Sequence, residues 1–301
     1  MKSGIVIVNY NRGNLVKEIS TIFSAYKTVD KIVIVDNNST DNSVEILQSI
    51  NHDKIEVFAQ HENLGYARGN NVGLRYLYEK LNYEYAFIVN PDVYFTEEVL
   101  IRILSAFELN SDYAVITTAR VDPDSNGKDL QYSRSYFGTY SELILSMLNI
   151  TRHVILQPKY GVYEFDINNH SLQEICVAPG SFFGVRLSMM KDIDYLDEGT
   201  FLYGEEACLA TRLERIGYKE GFLSDVVYEH RHIRNSTTTS DTSLKSYKMM
   251  CNSRYYYANK YMGVSGLKLW LLKCIGKFSH IEMFLIKLAK KAWTIKENVI
   301  I

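Results

Sequence analysis

The sequence predicts an α/β protein: a mostly parallel sheet flanked by helices, followed by a C-terminal helical extension. Three observations predict it. Short β-branched apolar runs alternate with stretches of helical spacing, the mark of a parallel sheet covered on both faces. Three of those runs end in polar loops, Asn9-Tyr10-Asn11, Asp36-Asn37-Asn38 and Asn90-Pro91-Asp92, and right-handed crossovers put such ends on one edge. From about residue 241 the pattern changes to helical spacing with interleaved lysines, so domains of 1–240 and 241–301 are expected.

The elements follow in order. Gly4-Ile5-Val6-Ile7-Val8 is a first buried strand. Leu15, Ile19, Ile22 and Phe23 set a helix over 14–26. Lys31 to Val35 is a second strand; its stop, Asp36 to Asp41, is rich in helix N-cap residues and precedes a helix through Val44 and Leu47. Ile55 to Phe58 is a third strand, and Asn63 to Asn71 leads to a helix through Val72, Leu74 and Leu77. Phe87 to Val89 is a fourth strand, ended by Pro91, which cannot donate to a ladder. A helix through Leu100, Ile103, Leu104 and Phe107 leads to a fifth strand, Tyr113 to Thr117. Residues 120–172 carry the least pattern, with one helical fragment from Leu143 to Leu148. Ile175 to Val185 reads as a strand, a tight turn and another strand. Glu205 and Glu206 open a helix carrying Leu209 and Leu213, and Val226-Val227-Tyr228 is a final strand before Glu229-His230-Arg231-His232.

Composition excludes several classes. A net charge of −2 over 301 residues gives no global field for nucleic acid. The four cysteines are scattered with no CxxC pair, which fits a reducing cytoplasm. The first apolar run breaks at Asn9, too early for a signal-peptide core, and no run is long enough to span a bilayer.

The strand-end loops read as a site for a polar ligand. Asp92 stands just past the carboxyl end of a strand, where open α/β sheets bind ligands, and can hold a divalent metal with Asn90 beside it. The alternative is an ordinary turn. Asp36 can accept from a base imide or a ribose hydroxyl, or it can cap a helix. Arg68 can offset phosphate charge. No GxGxxG follows the first strand and no GxxxxGK[ST] occurs, and Gly65, Gly69 and Gly73 are spaced as one helix face. A nucleotide diphosphate would then be held partly by metal. Glu205 and Glu206 suit the positive end of a helix dipole, or one of them takes a proton. His230 completes a metal shell or lies on the surface.

Taken together and in order, the pieces resemble the family 2 glycosyltransferases, in particular the bacterial rhamnosyltransferase-like branch. They are Val8 to Asn11, Val35 to Asp41, Asn63 to Ala67 with Asn70-Asn71, Asn90-Pro91-Asp92, Gly180-Ser181, Leu196-Asp197-Glu198, Tyr203 to Glu206, and His230, covering most of residues 4–236. The resemblance implies a GT-A fold and inverting transfer of a sugar from a nucleotide diphosphate donor, a UDP- or dTDP-sugar, to a saccharide or lipid-linked acceptor. Its setting would be the synthesis of a cell-surface polysaccharide such as capsule or O-antigen.

By the same resemblance Asn9, Tyr10, Asn11, Asp36, Asn38, Asn63, Gly65, Arg68, Asn71, Asn90 and Asp92 serve the nucleotide. Gly180, Ser181, Asp197 and Glu198 serve the acceptor. Asp92 binds Mn²⁺ or Mg²⁺ through the diphosphate, with His230 able to approach the metal. Glu206 is the general base, with Glu205 as the alternative. Two departures stand out: Glu206 replaces the family's usual aspartate, and Cys208 replaces a further acidic residue. The competing readings are a sugar nucleotidyltransferase and a non-catalytic scaffold within a polysaccharide assembly complex.

The C-terminal segment interleaves Leu267, Trp270, Leu271, Cys274, Phe278, Ile281, Phe284, Leu285 and Leu288 with Lys268, Lys273, Lys277, Lys287, Lys290 and Lys291. A basic amphipathic helix of this kind suits an anionic membrane surface, here the inner face of the plasma membrane. A helical pair packed as a cap, or a homodimer contact, is the alternative.

Overall fold

The computed structural model describes residues 1–121, 123, 128–129, 132–133, 139–148, 162–163, 169–231 and 240–299. Side chains are placed for these except at 128–129, 132–133, 162–163, 240–243 and 286–299. Most of the weakly patterned stretch 120–172 therefore lies outside the described residues, as do the side chains of His232, Lys287, Leu288, Lys290, Lys291 and Trp293. The chain forms two compact units, and the second is not confined to the C-terminus: it also takes in the helix at 140–147 and residues 202–204.

The first unit is a three-layer α/β structure. Its strands are β1 (Ser3–Asn9), β2 (Lys31–Asp36), β3 (Ile55–Ala59), β4 (Tyr85–Val89), β5 (Val93–Tyr94), β6 (Tyr113–Val121), β7 (Lys128–Asp129), β8 (Tyr132–Ser133), β9 (Val162–Tyr163), β10 (Gln173–Ile175), β11 (Phe182–Arg186) and β12 (Lys219–His230). The main sheet runs β10-β12-β6-β11-β4-β1-β2-β3, with β5 added to β12 and β7 to β6; β8 and β9 pair separately. β1 is parallel to β2 and β4, β2 to β3, and β12 to β6, while β11 enters antiparallel between β4 and β6. The two strands read from Ile175 to Val185 thus do not form a hairpin. β10 pairs with β12, and β11 crosses to the sheet centre.

The near-continuous apolar runs are explained by burial on both faces. Ile5, Ile7, Ile32, Ile34, Phe87 and Val89 point to one layer, where α1 (Gly13–Ser24), α2 (Ser43–Gln48) and α4 (Glu97–Leu109) supply Val16, Phe23, Leu47, Ile103 and Phe107. Val6, Val33, Val35 and Ile88 point to the other, filled from α3 (Gly65–Arg75), α6 (Leu187–Asp192) and α7 (Glu205–Arg215) by Leu74, Met190, Leu209 and Leu213. The four-residue glycine spacing is a packing face, as read: a Cβ on Gly73 would stand 2.5 Å from Val6 Cγ1, and one on Gly69 about 3.1 Å from Val8 Cγ1. Those glycines let α3 press directly on β1. The helix passes into a single π turn at Tyr76–Lys80.

The second unit is helical. α5 (Tyr140–Met147), α8 (Ser240–Lys260) and α9 (Gly266–Val299) close around Leu143, Met147, Tyr247, Cys251, Ala258 and Leu272. Thr139 and Glu142 form a capping box that starts α5. Tyr247 OH and Ser279 Oγ both donate toward the Met147 carbonyl, which ties the three helices at one buried point.

Candidate active site

The ends of β1 and β2 are laced together by side chains. Asp36 is fully buried, and its carboxylate accepts from Asn9 Nδ2 at 2.6 Å, Ser39 Oγ at 2.6 Å and Ser39 N at 2.9 Å. Asn11 and Asn38 hold φ of 56° and 59°, the left-handed region that asparagine tolerates best after glycine. Asn11 Oδ1 accepts from Thr40 N at 2.8 Å, closing the second loop on the first. Asp36 therefore serves as an internal brace with three protein donors, while Tyr10 is exposed above it. Asn9 Oδ1 is buried with no protein partner.

Asp92 and His230 are 138 residues apart and meet. Antiparallel pairing of β5 with β12 sets His230 opposite Val93, next to Asp92. Asp92 Oδ1 lies 3.1 Å from His230 Nε2, and the Asp92 carbonyl accepts from Arg231 N at 2.9 Å. Burial alone would raise the Asp92 carboxyl, but the hydrogen bond and charge of His230, a backbone N–H and the charge of Arg12 together bring it below the usual range. Asn90 sits at the same rim, its N–H donating to the Ser181 carbonyl at 2.9 Å. Arg12 was not singled out in the sequence. Its signal was position, one residue beyond the Asn9-Tyr10-Asn11 loop.

A third group gathers where α7 begins. Glu205 is 3% exposed and its Oε1 has no hydrogen-bond partner. Burial, reinforced by the neighbouring Glu206 charge, pushes its pKa up to about 8. Glu206 is only half-buried. Its carboxylate lies over Gly180, where a Cβ would stand 2.3 Å from Glu206 Oε1. Tyr66 OH donates to the Gly180 carbonyl, and burial, then the charges of Glu206 and Glu205, keep that phenol protonated. Ser181 Oγ pairs with Tyr228 OH at 2.9 Å. Glu220, on β12, is buried nearby and feels the Glu206 charge. Cys208, where the resemblance expects an acid, is fully buried.

The other residues read as contacts hold loops. Asn63 Oδ1 accepts from Gly65 N at 3.0 Å, and Gly65 has φ of 76° with its Cα against the Phe201 carbonyl. Asn71 is buried and clasps Leu196 in both directions, at 2.9 Å each way, and donates to Glu198 at 2.9 Å. Glu198 also meets Arg75 at 3.0 Å and Arg68 at 3.8 Å, and Arg68 meets Glu62 at 3.6 Å. Asp197 Oδ1 accepts from Gly199 N at 3.0 Å. This set fixes the 196–201 segment against α3.

A family profile described as glycosyl transferase family 2 matches residues 4–194, more than half of the chain. The chain belongs to the family 2 glycosyltransferases. Membership decides for glycosyl transfer over the nucleotidyl transfer that a similar sheet supports. This glycosyltransferase is 30% identical over 226 residues to the low-salt glycan biosynthesis hexosyltransferase Agl10 of Haloferax volcanii, covering 74% of this chain and 66% of the relative, just under two thirds of its length. It is 26% identical over 219 residues to the rhamnosyltransferase WbbL of Escherichia coli K12, covering 71% of this chain and 78% of the relative. Among solved structures it resembles the mannosyltransferase PcManGT from Pyrobaculum calidifontis in complex with GDP-Man and Mn²⁺, with TM-score 0.56 at 12% identity over 97% of this chain and 75% of that one. It also resembles S. aureus TarS 1–349, with TM-score 0.54 at 15% identity over 94% and 81% of the two chains. At such identities the likeness shows the fold, which is GT-A.

Proposed function

We propose that this glycosyltransferase moves a sugar from a UDP- or dTDP-sugar to a saccharide or lipid-linked acceptor with inversion, in the synthesis of a cell-surface polysaccharide. Glu206 is the base. The acceptor oxygen attacks the anomeric carbon, its proton passes to Glu206, and the nucleoside diphosphate leaves with the electron pair of the broken C–O bond. The carrying observation is the contrast within one helix turn. Glu205 is buried, with its pKa pushed up to about 8, whereas Glu206 is only half-buried and lies over Gly180. A base must be reachable by the acceptor, and Glu206, the less buried of the two, meets that demand better.

The donor set at the strand ends fits a divalent metal of the Mg²⁺ or Mn²⁺ type. Such ions take oxygen and imidazole ligands and keep sites for water and phosphate. Asp92, with its carboxyl held low, and His230 stand 3.1 Å apart and would hold it together with the diphosphate. Among the described residues no group of three or more His, Cys, Asp or Glu is placed to hold a metal. Bound there, the metal would supply charge neutralisation of the departing diphosphate. Arg12 adds positive charge beside it. Asn9, whose Oδ1 is unpartnered, would meet the base or ribose, and the Gly180-Ser181 turn would face the acceptor.

The second unit supports a peripheral place at an anionic lipid surface. Leu267, Trp270, Leu271, Phe278, Ile281, Phe284 and Leu285 of α9 are 41–71% exposed, while Leu272 and Ser279 on the other face are buried among α5 and α8. Lys268, Lys273 and Lys277 are exposed on the same helix. A packed cap would use its apolar residues inward, and this helix leaves a second apolar stripe outward. Among the described residues no helix is long and apolar enough to cross a membrane.

The test is a transfer and donor-hydrolysis assay over UDP- and dTDP-sugars, with Mn²⁺, with Mg²⁺ and with chelator. Metal-dependent turnover of at least one donor is expected. Donor binding with no turnover of any kind would instead favour the scaffold role.

A further inference from the structure

A carboxyl is buried on the second strand from one edge of the sheet. Glu220 of β12 is 4% exposed and flanked across the ladder by Ile175 of β10 and Val115 of β6, both apolar. Its face of the strand is that of Phe222, in the layer filled by Leu209 and Leu213 of α7. Glu206, Leu209 and Leu213 follow helical spacing, so the packing of α7 on this face brings the Glu206 charge toward Glu220. A buried carboxyl needs partners. Glu220 has one: Oε2 accepts from Ala178 N at 2.5 Å, and Oε1 has none.

Ala178 and Gly180 are two residues apart on the connection between β10 and β11. Glu220 holds the first by its N–H. Glu206 lies over the second, whose carbonyl also takes the Tyr66 hydroxyl. Both carboxyls therefore act on one short turn. We propose that Glu220 is a positioning residue for Glu206: its carboxyl pins the 178–181 turn on which the base rests.

Burial, with the Glu206 charge adding to it and the Ala178 bond opposing, puts the Glu220 pKa at about 8. The Ala178 N–H favours the anion, so the bond holds the turn whether Glu220 is protonated or ionised. The titratable groups around the turn are Glu205 and Glu206 of α7, Tyr66 of α3 and Tyr228 of β12; the ladder neighbours on β6 and β10 carry no charge. The proposal rests on Glu206 being the base, and nothing in the sequence pattern beyond one acid in an apolar strand pointed to it.

The test pairs two readouts on wild type, E220Q and E220L at pH 7. The first is the split between kcat and KM for the donor. The second is hydrogen exchange at the Ala178 amide, corrected for intrinsic rate. E220Q keeps an oxygen for the Ala178 N–H and E220L does not. E220L should lose Ala178 protection and fall about tenfold or more in kcat with KM for the donor unchanged, and E220Q should keep the protection and restore most of kcat. Wild-type kcat in E220L, or an E220Q as slow as E220L with Ala178 still protected, would overturn the proposal. If E220L does not fold, a wild-type Ala178 amide that exchanges at its unprotected rate overturns it equally. Should E206Q prove active, the base assignment fails, and the exchange data still decide the clamp.

Discussion

Gly180 and Glu206 are in close contact: a Cβ at 180 would stand 2.3 Å from Glu206 Oε1 and 3.0 Å from its Cδ, so any side chain there must displace the carboxylate. The carboxylate proposed as the base is therefore located by a missing side chain. Gly180→Ala should displace the carboxylate by about an ångström, and displacements of that size cost ~100-fold in rate. The expected result is a fall in turnover of roughly that size with donor affinity unchanged, read by steady-state kinetics and calorimetry. Turnover at the wild-type rate would mean that Gly180 does not place the base.

Glu205 carries the opposite expectation. Its folded pKa is raised from 4.5 to about 8, so the native state binds the extra proton. Stability attached to that proton is complete below the unfolded value and is lost as pH rises toward 8. Glu205→Gln removes the loss. Thermal unfolding should show the variant gaining on wild type between pH 5 and pH 8, by on the order of a few kcal/mol at the upper end. A gap that does not change with pH would contradict the burial argument.

Asp92 moves the other way. Its depressed carboxyl stays ionised through the neutral range, and the stability it lends through His230 is lost only as pH falls below the ordinary aspartate value of 3.8. Asp92→Ala should abolish the Mn²⁺-dependent part of UDP or dTDP binding, and His230→Ala should weaken it about tenfold or more. Calorimetry with and without Mn²⁺ reads both. Unchanged, metal-independent affinity in Asp92→Ala would contradict the metal assignment.

The α9 stripe predicts salt-sensitive binding to vesicles. Each lysine near an anionic surface contributes about 1 kcal/mol, so Lys268, Lys273 and Lys277 together should give measurable association. Co-sedimentation with anionic and neutral liposomes should favour the anionic ones and weaken at high salt. Trp270→Ser with Phe278→Ser should reduce it further by removing apolar burial. Negligible binding to both vesicles, with a concentration-dependent dimer in ultracentrifugation, would assign the stripe to self-association.

The strands and the rim were legible because parallel strands buried on both faces read as plain apolar runs, and their ends as polar interruptions. Asp92 could be placed on the rim by Pro91 alone. Its joining to His230 could not, because that depends on β5 pairing with β12 across 138 residues. Asn71, read as a nucleotide contact, clasps Leu196 with both its carbonyl and its amide, which the sequence did not show. A polar side chain in a buried loop looks the same in sequence whichever partner it serves. The antiparallel entry of β11 left no local mark either. Its apolar run is compatible with either direction, and only its pairing with β4 and β6 decides. Of the two acids opening α7 the resemblance preferred Glu206, and the deeper burial of Glu205 left no mark in the sequence.

The proposed chemistry turns on that choice between Glu205 and Glu206. The direct measurement is single-turnover transfer by Glu206→Gln, with donor affinity measured on the same protein. The predicted result is transfer slowed by about 100-fold or more with donor affinity retained, since a base acts in the transition state and not in binding. Near-normal transfer by Glu206→Gln, with Glu205→Gln inactive, would contradict it and move the base one residue toward the N-terminus.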